Sequence, residues 1–331
     1  MHMSDALVSA TVGGAMYAVS AGAIGFSLKK YKDQLDEKKV PLMGVMGAFV
    51  FTAQMINFTI PGTGSSGHIG GGILLAAILG PIPAAIVLTT VLLIQALFFA
   101  DGGILAFGCN VFNMAIVSCL IAYPLIFKPI IKKGISNGKI IVASILSVVI
   151  GLQLGAFSVV LETLLSGKTE LPFMSFVILM QPIHLAIGLV EGIVTAGVLC
   201  YVYSIKPEII ESTVNGQGIN GNGLKKVVVT MFVAAILIGG GLSLLASKYP
   251  DGLEWSTAKV TGAEEVKAEG NVYDTFNNIQ EKTSVMPDYN FKKSESSIGT
   301  STAGIVGGAV TLAVALGIGK IINIVKTKRV R

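Results

Sequence analysis

Long uncharged apolar runs, broken by short lysine-bearing stretches, leave this chain few ways to fold. Lipid offers no hydrogen bonds to a backbone, so such runs become helices whose N–H and C=O groups are satisfied internally. Only 13% of the 331 residues are charged, against about 25% in soluble domains. The chain therefore reads as an all-α polytopic membrane protein. Its basic balance needs no nucleic-acid partner, because lysines flanking membrane helices account for it.

Seven apolar segments occupy residues 1–203, at about 6–28, 41–60, 68–81, 82–100, 104–127, 140–160 and 172–203. Residues 204–224 carry Pro207, four glycines and three asparagines and read as a flexible cytoplasmic linker. The remainder, 225–331, has a different pattern. Two spans near 227–246 and 302–324 flank a polar segment at 248–300, which reads as a two-helix hairpin with a large outer loop.

Charge sets the expected orientation. Segments 29–40, 128–139, 204–226 and 320–331 hold 17 basic and 5 acidic residues; segments 159–171 and 248–299 hold 7 and 11. The positive-inside rule puts the first set in the cytoplasm, with the N-terminus outside and the C-terminus inside. No basic residue precedes Lys29, so the first helix is expected to be retained rather than cleaved as a signal peptide.

That topology brings two histidines to one side. If Met1 is the true start, its amine, the His2 amide nitrogen and the His2 imidazole can close around one small metal ion, and His68 can supply a fourth corner. Nitrogen-rich planar sites suit Ni(II), Cu(II) and Co(II) better than zinc. His68 ends the stretch from Pro61 to Gly67, which with Gly70, Gly71 and Gly72 is too polar and glycine-rich to face lipid; it reads as a re-entrant or pocket-lining loop. The competing reading seats His2 at the headgroup level and lets His68 bond its own loop.

Other polar residues are candidates to orient the imidazoles: Gln54 and Asn57, three apart on one helical face, and Ser65 and Ser66 in the loop. His184 and Glu191, seven apart, share a face, and His184 is a further candidate ligand or part of a packing surface. Cys109, Cys119 and Cys200 have no C-x-x-C spacing and read as small buried side chains. There is no G-x-x-x-x-G-K-[ST] and no H-E-x-x-H, so the chain is not expected to hydrolyse ATP itself or to be an enzyme. Glu191 is the one carboxylate expected deep in a span.

Three stretches together resemble the CbiM/NikM family, the substrate-capture subunits of energy-coupling-factor cobalt and nickel importers. They are Met1-His2-Met3-Ser4-Asp5 before a small-residue helix, Ser65-Ser66-Gly67-His68-Ile69-Gly70-Gly71-Gly72, and Pro182-Ile183-His184 through Glu191-Gly192. In the tail, Pro250-Asp251-Gly252-Leu253-Glu254 resembles the PDGLE signature of the partner subunit CbiN/NikN, and Met286-Pro287-Asp288-Tyr289 resembles the motif closing its outer loop.

The resemblance implies a seven-helix S-component-like core holding Co(II) or Ni(II) as cargo through Met1, His2 and His68. It implies no resident cofactor. Its implied partners are a membrane coupling subunit (CbiQ/NikQ-like) and ATP-binding subunits (CbiO/NikO-like), within the lipid bilayer of the cell membrane. Members commonly carry Ile-Pro after Met-His, where this chain has Met3-Ser4; the missing proline removes a φ lock but no ligand atom. Cobalt and nickel both fit these ligands. A secondary divalent-cation transporter or channel, without ATPase partners, is the alternative.

Overall fold

The computed structural model describes residues 1–31, 36–168, 171–219, 224–263, 266, 268–293 and 296–330. In chain order its helices are α1 (Ala10–Tyr31), α2 (Val40–Gln54), α3 (Gly72–Leu79), α4 (Pro81–Phe98), α5 (Phe107–Lys132), α6 (Asn137–Ser166), α7 (Phe173–Ile205), α8 (Glu208–Asn215), α9 (Leu224–Gly240), α10 (Gly252–Thr261), α11 (Asn271–Thr283) and α12 (Ser297–Val330). A small antiparallel hairpin, β1 (Phe58–Ile60) and β2 (Ser65–Gly67), separates α2 from α3. Among the described residues six helices are long and apolar enough to cross a membrane: α1, α4, α5, α6, α7 and α12. The protein is a largely helical, multi-spanning membrane protein.

Helix α2, only 15 residues long, is the centre of the bundle. Every residue from Leu42 to Gln54 is buried, because α4, α9 and α12 pack around it. A helix buried all round has no polar face to display, which is why its sequence shows no one-sided pattern. Small residues set the spacing. A side chain on Gly304 of α12 would collide with the Gly239 carbonyl of α9, so these two helices touch backbone to backbone. On the other side, α6 and α7 form a long antiparallel pair, with Gly192 close enough that a Cβ would lie 2.8 Å from Ile145 Cα.

The structure departs from the sequence expectations at three places. Helix α6 runs through Ser166 instead of ending in a polar turn at 162. Glu162, a good helix former, continues it, with the carboxylate buried and Oε2 accepting a 2.7 Å hydrogen bond from Asn113 Nδ2. Glu191 is thus joined by a second carboxylate buried within a long helix. Helix α5 carries a π-helical stretch over Val111–Phe127, where the Lys128 N–H reaches the Tyr123 carbonyl five residues back.

The third departure is at 204–224, expected to be a flexible linker. Residues 208–215 form α8, with Ile209, Ile210 and Val214 buried. Lys39 Nζ donates to Thr213 Oγ1 at 3.0 Å, and that hydroxyl donates to the Ile78 carbonyl at 3.1 Å. An amphipathic turn that finds an apolar floor folds despite glycine-rich neighbours. Residues 220–223 lie outside the described residues, as do 264, 265, 267, 294 and 295 of the polar segment.

The polar segment itself is folded. Asp251 caps α10 by accepting from Leu253 N at 2.8 Å and Glu254 N at 2.9 Å, while Glu254 accepts from Asp251 N in return. This capping box explains why Asp-Gly-Leu-Glu starts a helix. Helix α10 lies on α7, and α11 reaches α4 through Gln280, whose Nε2 donates to the Ala96 carbonyl at 2.9 Å. The segment therefore covers the end of the bundle where the chain begins.

Candidate functional site

The first three residues run into the protein, with Met1 and Met3 buried. Asn110 of α5 holds this arm as a neighbouring strand would: Oδ1 accepts from Met3 N at 2.7 Å and Nδ2 donates to Met3 O at 3.1 Å. Asp5 anchors the base of the arm by accepting from Ala106 N at 2.9 Å. Gly102, at φ +84°, lets the 101–103 turn pass close behind His2. The terminal amine is carried in this way to the middle of the site.

His68 meets it there. Its Nδ1–H donates to the Ile69 carbonyl at 3.1 Å, leaving the Nε2 lone pair to face the Met1 amine at 3.1 Å. The loop behind it is fixed by Gly71, whose φ of +77° turns the chain into α3 and whose N–H donates to Glu191 Oε1 at 2.9 Å. Burial pushes the His68 pKa down to about 3, helped by the positive terminal amine and by His2. Its imidazole is neutral at pH 7.

The His2 ring stacks on His68 with centroids 5.1 Å apart. His2 Nε2 lies 3.2 Å from Gln95 Oε1, and His2 Nδ1 lies 3.2 Å from Asp101 Oδ1. A line of amides aims Gln95: its Nε2 donates to Gln54 Oε1 at 2.8 Å, and Gln54 Nε2 donates to the Gly70 carbonyl at 2.8 Å. Gln54 thus connects the His2 ring to the His68 loop through Gln95. Burial lowers the His2 pKa, with Asp101 opposing that shift.

The other sequence candidates fall differently. Ser66 Oγ donates to the Tyr249 carbonyl at 2.7 Å and Ser66 N to the Pro250 carbonyl at 2.8 Å; Ser65 Oγ also faces Pro250. Both serines hold the polar segment against β2 rather than an imidazole. Asn57 engages through its backbone carbonyl, which accepts from Ser247 N at 2.7 Å. His184 is buried in α7, with Nδ1 against the Met180 carbonyl at 2.8 Å.

Four contact residues were not among the site candidates: Gln95, Asp101, Asn110 and Asp251. Asp251 is the most consequential. Its Oδ2 takes an ion pair from the Met1 amine at 2.5 Å, although the two residues are 250 apart. Burial alone would raise its pKa, but the terminal ammonium and His68 hold it below the usual carboxylate range. The Pro-Asp-Gly-Leu-Glu motif marks the residue in the sequence; only the fold shows what it meets.

Two cavities meet at this cluster. An open polar vestibule of about 580 Å³ is lined by His2, Gln54, Asn57, Asp101, Glu254 and Tyr289, whose hydroxyl donates to Asp101. A smaller chamber of about 40 Å³ lies on the other side, bordered by Met1. His68 and Asp251 line both.

A family model described as the cobalt uptake substrate-specific transmembrane region, CbiM, matches residues 2–209. This chain belongs to the CbiM family. The CbiM-type region is fused to a PDGLE domain, matched over residues 225–324. The chain is 33% identical over 313 residues to a putative fused nickel transport protein NikMN of Archaeoglobus fulgidus, covering 95% of this chain and 96% of that one. It is 36% identical over 182 residues to a putative cobalt transport protein CbiM of Methanocorpusculum labreanum, covering 54% of this chain and 77% of the relative. A crystal structure of a transition metal transporter superposes with a TM-score of 0.54 at 33% identity, over 63% of this chain and 95% of that one. As a CbiM-family protein the chain is a metal-transport membrane subunit, not an enzyme.

Proposed function

We propose that this chain is the substrate-capture subunit of an ATP-driven energy-coupling-factor importer for Co(II) or Ni(II). The ion is taken at an extracytoplasmic site made by the Met1 amine, the His2 amide and imidazole, and His68. The observation that carries this reading is the 3.1 Å separation of Met1 N and His68 Nε2. Two nitrogens bound side by side to one metal, each at about 2.0–2.1 Å, stand about 3 Å apart. Among the described residues no three His, Cys, Asp or Glu side chains gather to hold a metal. A site here therefore draws on main-chain and terminal nitrogens.

In this mechanism Asp101, Asp251, Glu254 and Asp288 line the vestibule and raise the local concentration of cations. The ion displaces Asp251 from the terminal amine, and His2 Nδ1 turns from Asp101 to complete the plane. Gln95 holds Nε2–H, keeping the Nδ1 lone pair free for the metal. Loading ties the arm and the His68 loop into one unit. That favours the loaded state only as far as the metal binds it better. ATP turnover in CbiO/NikO-like subunits, passed through a CbiQ/NikQ-like membrane subunit, then opens the site inward. The orientation is N-terminus outside, C-terminus inside, with seven segments in the core and a two-helix hairpin whose loop is extracytoplasmic.

Metal titration of the purified full chain tests this, comparing the native start with His68→Ala and with one extra residue before Met1. Tight binding of one Ni(II) or Co(II) ion, lost in both variants, is the expected result; equal binding by the extended chain would sink the terminal-amine model. The buried Glu162 and Glu191 favour a second reading, a secondary cation transporter or channel. Uptake in cells lacking every coupling and ATP-binding partner would support it.

A further inference from the structure

The proposed capture site stands between a vestibule and a chamber, and the chamber has polar walls that the capture reading does not use. It lies between α3, α5, α6 and α7. Among the described residues, three buried polar atoms of side chains lining it have no hydrogen-bond partner: His184 Nε2, Asn113 Oδ1 and Ser147 Oγ. Buried polar atoms left unpaired are costly, so several around one chamber point to something polar that fills it. At about 40 Å³ the space exceeds the roughly 10–15 Å³ that one water centre needs.

His184 is the best-defined of the three. It is 1% exposed and sits 11 residues into α7, about 16 Å along the helix axis at about 1.5 Å per residue. Its Nδ1–H is committed to the Met180 carbonyl, which fixes the tautomer and leaves a lone pair on Nε2. Since Nδ1 points back at its own helix, Nε2 is on the side of the ring turned away from it. Gly252 closes over the ring from the PDGLE segment; a Cβ there would lie 3.1 Å from His184 Cε1. An imidazole with a free nitrogen, buried in a membrane helix and facing the protein interior, is a functional site by default.

The charge environment suits a dication. Asp251 lines the chamber at the Met1 end, and Glu191, two helical turns beyond His184, lines it further along α7. A divalent cation entering a buried space needs such partners. Neutral imidazole and amide or hydroxyl oxygens, completed by water, suit first-row metals.

We infer that this chamber is a second, transit station for the transported ion, in which His184 Nε2 receives the metal as it leaves the Met1–His68 site. Asn113 Oδ1 and Ser147 Oγ contribute through bound water, and Glu191 balances the charge. The inference rests on the capture reading above and adds the route that follows it. The donors are fewer and largely neutral, so the station binds more weakly than the capture site and lets the ion go.

The test is Co(II) titration of the purified full chain with its native start, followed by equilibrium dialysis and visible absorption. Native protein, His184→Ala and His184→Gln are compared. The expected result is two equivalents in native protein, a tight one and a weaker one. Both variants lose the weaker and hold the tight one, because the substitution alters none of the Met1, His2 and His68 nitrogens of the capture site; that retained equivalent is also the proof of folding. A single equivalent in native protein, or a second that survives both substitutions, overturns the station while leaving capture intact. Absence of both equivalents in native protein removes the capture reading and this one with it.

Discussion

Replacing Asp251 by Asn isolates the ion pair that joins the N-terminus to the PDGLE segment. The substitution keeps the shape and leaves an N-cap oxygen for Leu253 N and Glu254 N, because Asn caps helices about as well as Asp. What it removes is the charge opposite the Met1 amine at 2.5 Å. Breaking a fully buried pair costs about 3–5 kcal/mol. Here the two side chains are 4% and 13% exposed, so water screens part of it and about 2–3 kcal/mol is reasonable. At about 1.4 kcal/mol per factor of ten, the arm should open about 30- to 150-fold more often. Hydrogen-exchange mass spectrometry of residues 1–9 in the metal-free protein reads that opening directly. Asp251→Ala should add about 1 kcal/mol by removing the cap, with faster exchange spreading into α10. Exchange in the Asn variant within about twofold of native at residues 1–9 would refute the reasoning.

Three further outcomes are expected. Gln95→Leu leaves Gln54 Oε1 and His2 Nε2 without partners, which costs about 1–3 kcal/mol; Ni(II) affinity by calorimetry should fall about 10- to 100-fold, and an unchanged affinity would take Gln95 out of the site. Gly304→Leu cannot be accommodated against the Gly239 carbonyl, so α9 and α12 must separate; a cysteine pair engineered across them should crosslink several-fold less, and equal crosslinking would contradict the packing. For pH, the folded His68 pKa is lowered to about 3 from an ordinary value near 6.5. The unfolded chain then binds the extra proton first, so this contribution is complete above about pH 6.5 and is lost as pH falls toward about 3. Thermal unfolding at pH 7 and pH 5 should show native protein losing more stability than His68→Gln, and equal losses would count against the assignment.

The sequence alone determined that the chain is helical and lipid-embedded, because runs of uncharged residues have no other stable form without water. It also marked the amine, His2 and His68 as a possible set, since the first three nitrogens belong to two adjacent residues and the topology expected from charge puts the fourth on the same side. Asp251 and Gln54 were visible as a motif residue and a buried amide. Their partners were not, because nothing local links Asp251 to Met1 or Gln54 to His2 through Gln95. Periodicity failed where environment overrode it. Glu162 stays inside its helix with one carboxylate oxygen held by Asn113 of another helix, and the glycine-rich connection folds at Glu208–Asn215 because Lys39 and the end of α3 receive it. Ser65 and Ser66 went to the Tyr249–Pro250 backbone since short hydroxyls bond the carbonyls nearest to them. Composition and charge are sums over neighbouring residues, so they mark helices and lipid-embedded runs. The site is a meeting of groups up to 250 positions apart, and only tertiary packing decides which of them touch.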